Sequence, residues 1–277
     1  MTTPHPNPEF KIETYHIAPT DLIPNSGWPL IVYRQFYPFD ELKISTKFYD
    51  LLLSNDWHPK WIYQYGETQR SHYHPTAHEV MAVLSGSARI RFGAADLSQD
   101  PLQSLEDPKY FEKGGITLDA QKGDVFLLPA GLAHKTHYAR PSAPFLLLTP
   151  EGRATMEVNS EYREKLREVE ERGIEGFAMM GGYPKGYQPG YFAVGGEGAL
   201  EYSRVWSIPP SKLDPLLGDS EMGTKGLWKG QGGYPKTSIE KETTPKEKPD
   251  WVVPFPEKGS WRADLRNIDQ LEEKLAT

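Results

Sequence analysis

The chain has 277 residues, and 38 acidic against 31 basic side chains give a formal charge of −7 with its eight histidines neutral, which speaks against a phosphate-tracking nucleic-acid binder. It contains no cysteine, which excludes disulfide frameworks, thiolate metal sites, iron–sulfur clusters and cysteine nucleophiles. No run of 18 apolar residues occurs, and Met1 to Pro8 has no basic stretch leading into an apolar one, so a soluble cytoplasmic protein without a membrane partner is expected.

In chain order, Phe10 to Ile17 alternates as a half-buried strand, Asn25-Ser26-Gly27 marks a turn, and Leu30 to Tyr33 forms the next strand. The spacing of Phe39, Leu42, Phe48, Leu51 and Leu52, with Asp40 near the start, predicts an amphipathic helix from Pro38 to about Asn55. Short apolar or alternating runs then follow one another between glycines and prolines: Trp61 to Tyr65, Glu79 to Leu84, Ser87 to Phe92, Val125 to Leu128 and Phe145 to Leu148. That texture is an antiparallel sandwich or barrel. Ala88, Ile90 and Phe92 face one way and Arg89 and Arg91 the other; the arginine pair reads as a solvated face, with an anion-holding role as the alternative. Val125 to Leu128 is apolar on both faces and belongs at the centre of a sheet. Ala94 to Gln121 is a rim excursion with a short strand near Ile116 to Leu118.

Asn159 or Ser160 caps a charged helix running to Arg172, with Tyr162, Leu166 and Val169 on its apolar face. Lys236 to Asp250 reads as an exposed strap, and Trp261 to Leu275 as a terminal helix. Gly182-Tyr-Pro-Lys185 recurs as Gly233-Tyr-Pro-Lys236, which reads as two similar turns.

Six of the eight histidines lie between residues 58 and 137. His72 and His74 are two apart, so in extended chain both imidazoles point to one face and can share an ion. Pro75-Thr76-Ala77 interrupts the register before His78 and Glu79. Glu79 then shares a face with Met81 and Val83, and His78 with Val80, Ala82 and Leu84; both faces are apolar, so parity does not choose between them. His134 follows a buried strand and a Pro-Ala-Gly turn. Three imidazoles and one carboxylate make a mixed nitrogen and oxygen donor set suited to iron, manganese, nickel, copper or zinc.

Gly66-x5-His72-x-His74-x4-Glu79-x6-Gly86 resembles the first cupin motif, and Gly123-x5-Pro129-x-Gly131-x2-His134 the second. The asparagine usual four residues after the last histidine is Tyr138 in this chain. Further segments are similar to the YjlB-like cupins: Ile23-Pro24-Asn25, Pro129 to Lys135, Gly181 to Gly186, and Ile208 to Gly218 followed by Trp228. The resemblance implies an all-β, double-stranded jelly-roll barrel with peripheral helices and a central divalent transition metal, iron first among the candidates. Its ligands would be His72, His74, Glu79 and His134. It implies one domain in three parts: N-terminal strands and helix (1–56), the barrel with both motifs (57–150), and a C-terminal extension wrapped on it (151–277).

The expected function is a metal-dependent enzyme acting on a small organic substrate, with a dioxygenase-like oxidoreductase leading. A non-redox isomerase, decarboxylase or lyase and a non-catalytic binding or storage protein are the alternatives. His78 is the candidate acid or base, with orientation of a metal ligand, substrate contact, or metal ligation in place of Glu79 as its alternatives. Tyr63, Gln64, Met81 and Phe126 are candidates for substrate contact, with Lys135 a further cavity-lining possibility. A homodimer is expected by analogy.

Overall fold

The structure is a computed structural model, and it describes residues 9–229 apart from 106, 151–155, 157 and 188–191. The strap, the terminal helix and the second Gly-Tyr-Pro-Lys expected from the sequence lie outside the described residues.

Among the described residues, ten strands form two antiparallel sheets: β1 (Lys11–Tyr15), β2 (Leu30–Arg34), β3 (Trp57–Gln64), β4 (Glu79–Ser85), β5 (Ser87–Phe92), β6 (Ile116–Gln121), β7 (Val125–Leu128), β8 (His134–Arg140), β9 (Leu146–Leu147) and β10 (Ala178–Pro184). The larger sheet has the order β1-β2-β7-β4-β10-β3-β9 and the smaller one β6-β5-β8. Helices lie outside the barrel: α1 (Ile44–Ser54), α2 (Ser160–Arg172), α3 (Ala199–Trp206) and the single turn α4 (Thr224–Leu227). The architecture is the all-β jelly roll with peripheral helices.

The large sheet is buried on both faces. Between the sheets, Leu30, Val32, Met81, Val83, Phe126 and Met179 of the large sheet meet Ala88, Ile90 and Phe92 of the small one. On the other face, Ile31, Tyr33, Val80, Ala82, Val125 and Leu127 pack against Phe48 and Leu52 of α1, Leu166 of α2, and Trp228. This explains why Val125 to Leu128 has no polar position: each of its side chains enters one apolar layer or the other.

Segments on either side of residues 57–150 enter the large sheet. Residues 178–184 form β10, inserted between β4 and β3. Strand β2 likewise pairs with β7 inside the same sheet. An interior strand must satisfy its backbone on both sides, so the sheet is incomplete without either segment. The first helix also starts later than expected, at Ile44, with Pro38 to Lys43 forming turns. The second is as expected, with Asn159 Oδ1 accepting from the Tyr162 N–H at 2.7 Å.

Residues 206–228 form a belt across the outer face, held by indole N–H groups donating to backbone carbonyls. Trp28 donates to Ile208, Trp57 to Leu213, Trp206 to Pro24 and Trp228 to Pro29, at 2.9–3.3 Å. At its centre Asp214 is fully buried; it accepts from the Leu216, Leu217 and Thr224 N–H groups and from the Tyr33 hydroxyl of β2. Asp214→Ala strands four buried donors and is expected to lower unfolding stability in urea by about 3 kcal/mol. A loss below about 1 kcal/mol, the scale of one ordinary hydrogen bond, would assign the belt's attachment to its indoles instead.

Candidate metal centre

The two motif segments are tied together by backbone. His72 and His134 face each other in an antiparallel bridge, with the His72 N–H donating to the His134 carbonyl at 3.2 Å and the reverse bond at 2.9 Å. The Gly131 N–H donates to the His74 carbonyl at 2.8 Å. Gly131 has φ 81°, the left-handed region, and a Cβ there would lie 2.2 Å from Val205 of α3, so the turn that delivers His134 requires glycine. These bonds bring the imidazole centroids of His72 and His134 to 4.4 Å, His72 and His74 to 5.8 Å, and His74 and His134 to 6.1 Å.

Glu79 opens β4 with its side chain on the barrel-interior face, opposite Leu128 in register. Its Oε1 lies 3.4 Å from His74 Nε2 and its Oε2 3.3 Å from His134 Nε2. The four expected ligands are therefore one cluster, with His74, Glu79 and His134 buried and His72 half-buried. Among the described residues no three histidine, aspartate or glutamate side chains stand in a ready coordination geometry; here His74 and His134 address different oxygens of Glu79.

The donor chemistry nonetheless fits a cation. His72 Nδ1 lies 3.0 Å from the Arg70 carbonyl and His134 Nδ1 3.3 Å from the Leu132 carbonyl, contacts that place the proton on Nδ1 and leave Nε2 with its lone pair. Burial, with the neighbouring imidazoles, pushes the His72 pKa well below the usual value. Burial likewise lowers that of His134, against the charge of Glu79. Burial raises the Glu79 carboxyl, but His74, His134 and the Tyr183 hydroxyl outweigh it and hold it at about 2. Among the described residues no lysine or arginine pairs with Glu79, so a buried carboxylate faces imidazoles and a phenol alone. Two buried atoms of the cluster, His74 Nδ1 and Glu79 Oε2, have no hydrogen-bond partner.

Aromatic side chains surround the cluster. The Phe192 ring lies 4.6 Å from that of His72 and 5.0 Å from that of His74. Tyr183 of β10 was not among the residues singled out from the sequence; its hydroxyl donates to Glu79 Oε1 at 2.7 Å and lies 3.3 Å from His74 Nε2. Burial, and then the Glu79 charge, raise its pKa well above the usual value, so it stays a neutral donor. The signal available was the Gly-Tyr-Pro-Lys segment itself, but nothing local marks residue 183 as neighbouring residue 79.

His78 points the other way. It lies in the outer layer against Trp228, with ring centroids 4.7 Å apart, and both nitrogens are used: Nδ1 accepts from the Ala130 N–H at 3.0 Å and Nε2–H donates to the Pro209 carbonyl at 2.8 Å. His78 thus stands apart from the histidine cluster, as a buried link between β4, the Pro-Ala-Gly turn and the belt that also lines a cavity beside Lys185 and Pro209. Gln64 also stands apart from the cluster. It is adjacent to Tyr63 on β3 and so faces the opposite side, and its amide is bonded to the Pro144 carbonyl and the Gly176 N–H. Tyr63 is half-buried between Trp61 and Phe145. Met81 and Phe126 are buried between the sheets, paired in register on β4 and β7. Arg91 is not on a solvated face: with Lys135 and Ser104 it surrounds the buried Asp96. Arg89 is exposed and pairs with Asp119 at 3.4 Å. Two surface cavities, about 860 and 480 Å³, lie away from the histidine cluster, one beside Arg34 and Arg140 and one beside His78, Lys185 and Pro209.

The Cupin family model matches residues 69–168, which contain the two histidines of the first motif, Glu79 and His134. Residues 69–168 of this chain are thereby a cupin domain. A relative, the uncharacterized protein YjlB of Bacillus subtilis (strain 168), is 27% identical over 148 residues, or 52% of this chain and 73% of the relative. Two solved structures to which this chain is similar are the dTDP-6-deoxy-D-glucose-3,5-epimerase RmlC of Legionella pneumophila and a point mutant of Bacillus subtilis oxalate decarboxylase. The first is 14% identical, covering 66% of this chain and 76% of that one, with a TM-score of 0.24. The second is 14% identical, covering 58% of this chain and 26% of that one, with a TM-score of 0.22, so this chain spans about a quarter of the decarboxylase's length. Strand β10, with Tyr183, lies beyond the matched segment of the cupin domain. Among the described residues no helix is long and apolar enough to cross a membrane.

Burial lowers the His78 pKa to about 4 against the hydrogen bond to Pro209. A histidine whose folded pKa lies below its unfolded one is protonated first in the unfolded chain. Its contribution is therefore fully present above about pH 6.5 and is lost as the pH falls through 4. Between pH 7 and pH 5 His78 alone is expected to remove on the order of 2 kcal/mol of stability, read as a fall in the urea midpoint. The fall should be smaller in His78→Asn, and equal falls in both proteins would remove His78 as its source.

Proposed function

We propose that this protein is a metal-dependent enzyme acting on a small organic molecule by dioxygenase-like oxidation, with a single divalent transition metal held by His72, His74, Glu79 and His134. The observation that carries the reading is the buried Glu79 carboxylate, faced by the His74 and His134 imidazoles and, among the described residues, balanced by no lysine or arginine. Nitrogen-rich donors with one carboxylate suit iron ahead of the harder cations. A bound metal of this kind supplies Lewis acidity and, if redox-active, access to oxygen chemistry.

The chain's own residues set the conditions. His72 and His134 are oriented by their Nδ1 contacts to the Arg70 and Leu132 carbonyls, which keeps Nε2 available. Phe192, with Trp61 and Tyr183 behind His74, limits water at the cluster. Met81 and Phe126 continue the apolar wall between the sheets, and Tyr63 is the half-buried polar tip nearest it. The enclosure favours an apolar or aromatic substrate over a highly charged one.

The test is metal content by plasma mass spectrometry on untagged, unchelated protein beside a His74→Ala, His134→Ala double variant, followed by oxygen uptake with phenols, enols and keto acids. Near-stoichiometric iron, lost in the variant, and substrate-dependent oxygen consumption are expected. Turnover that proceeds equally without oxygen on zinc or manganese would overturn the oxidative part. No metal in the parent protein even after reconstitution would overturn the metalloenzyme reading.

A further inference from the structure

We infer that Tyr183 is a positioning residue that ties down Glu79 Oε1 and leaves Oε2 as the carboxylate oxygen without a hydrogen bond. The inference rests on the reading of Glu79 as a metal ligand and extends it to a residue outside both histidine motifs. Its geometry runs through three side chains. The Trp61 indole N–H, a donor only, points to the Tyr183 oxygen at 3.3 Å. That oxygen therefore accepts from Trp61, and its one proton goes to the stronger acceptor, Glu79 Oε1 at 2.7 Å, rather than to His74 Nε2 at 3.3 Å. Glu79 Oε2 is left without a hydrogen bond, 3.3 Å from His134 Nε2.

The backbone is built for this relay. Strand β10 shifts register between Gly181 and Gly182, and the Trp61 ring lies across Gly181 so closely that a Cβ there would fall 2.1 Å from a ring carbon. Any larger residue at 181 displaces the indole and with it the donor that fixes the Tyr183 hydroxyl. A neutral donor on one oxygen orients a carboxylate without competing with a cation for its charge, whereas a lysine in this place would neutralise the site.

The test uses the full-length protein stripped of metal, titrated with cobalt(II) against a competing chelator while the visible d–d bands are recorded. Tyr183→Phe is expected to weaken cobalt binding about 10- to 100-fold. It should also change the band pattern, because a freed Oε1 alters the carboxylate's binding mode. In a Glu79→Ala background the same substitution is expected to change affinity less than about twofold, since Tyr183 acts through Glu79. Trp61→Phe keeps the tyrosine and removes only its orienting N–H. It is expected to shift the same bands with a loss of a few-fold, which keeps the test available should Tyr183→Phe fail to show a folded circular dichroism spectrum. Wild-type affinity and bands in the folded variants, or an equal loss with and without Glu79, would overturn the inference while leaving the ligand set intact. Failure of the wild-type protein to bind cobalt at all would overturn the ligand reading first.

Discussion

A carboxylate buried at the first residue of β4 is the constraint around which the rest of this protein is arranged. Glu79 has left water, and a buried charge of this kind is tolerated only where donors and opposite charge meet it. The groups that meet it come from places far apart in the chain: the Tyr183 hydroxyl from β10, the His74 imidazole from the segment after β3, and the His134 imidazole from the start of β8. Each is held by its own backbone device, the bridge between residues 72 and 134, the glycine turn at 131, and the register shift at Gly181. Moving any one of these by an ångström leaves Glu79 short of a partner, so the site and the barrel interior are one packing problem.

The large sheet makes that arrangement rigid because it is covered twice. Its inner face closes on the small sheet, and its outer face closes on α1, α2 and the belt. His78 and Glu79, neighbours in sequence, illustrate the division: one side chain joins the outer layer and ties the belt to the Pro-Ala-Gly turn, while the other enters the interior. The buried Asp96 group does similar work for the rim excursion, binding Arg91 of β5 and Lys135 of β8 to the loop at Ser104. Ionic groups beside the motif histidines thus serve the scaffold, and those of the histidine cluster are kept separate from them.

Much of the barrel was legible from local pattern. Ser87 to Phe92 and Val125 to Leu128 stand where alternation and a continuous apolar run place them, because both signals report how many faces of a strand are buried. The convergence of His72, His74, Glu79 and His134 was legible through the spacing of two motifs. Arg91 was read as solvated because charge normally is, and the loop that buries it is remote from its strand. Gln64 was read with Tyr63 although strand parity separates them. Strand β10 was missed because Gly181 and Gly182 carry no β-propensity; the strand exists through its two neighbours.

By itself, then, the sequence determined the family, the kind of barrel and the identity of a nitrogen-rich donor cluster, since these follow from residue types at fixed short spacing. Tertiary structure alone decided that Glu79 rather than His78 faces the interior, because a Pro-Thr-Ala interruption erases the parity count and both faces of β4 are apolar. It alone also brought Tyr183 to Glu79, across 104 residues, because a strand's place in a sheet is settled by which partners satisfy its two edges and not by its own side chains.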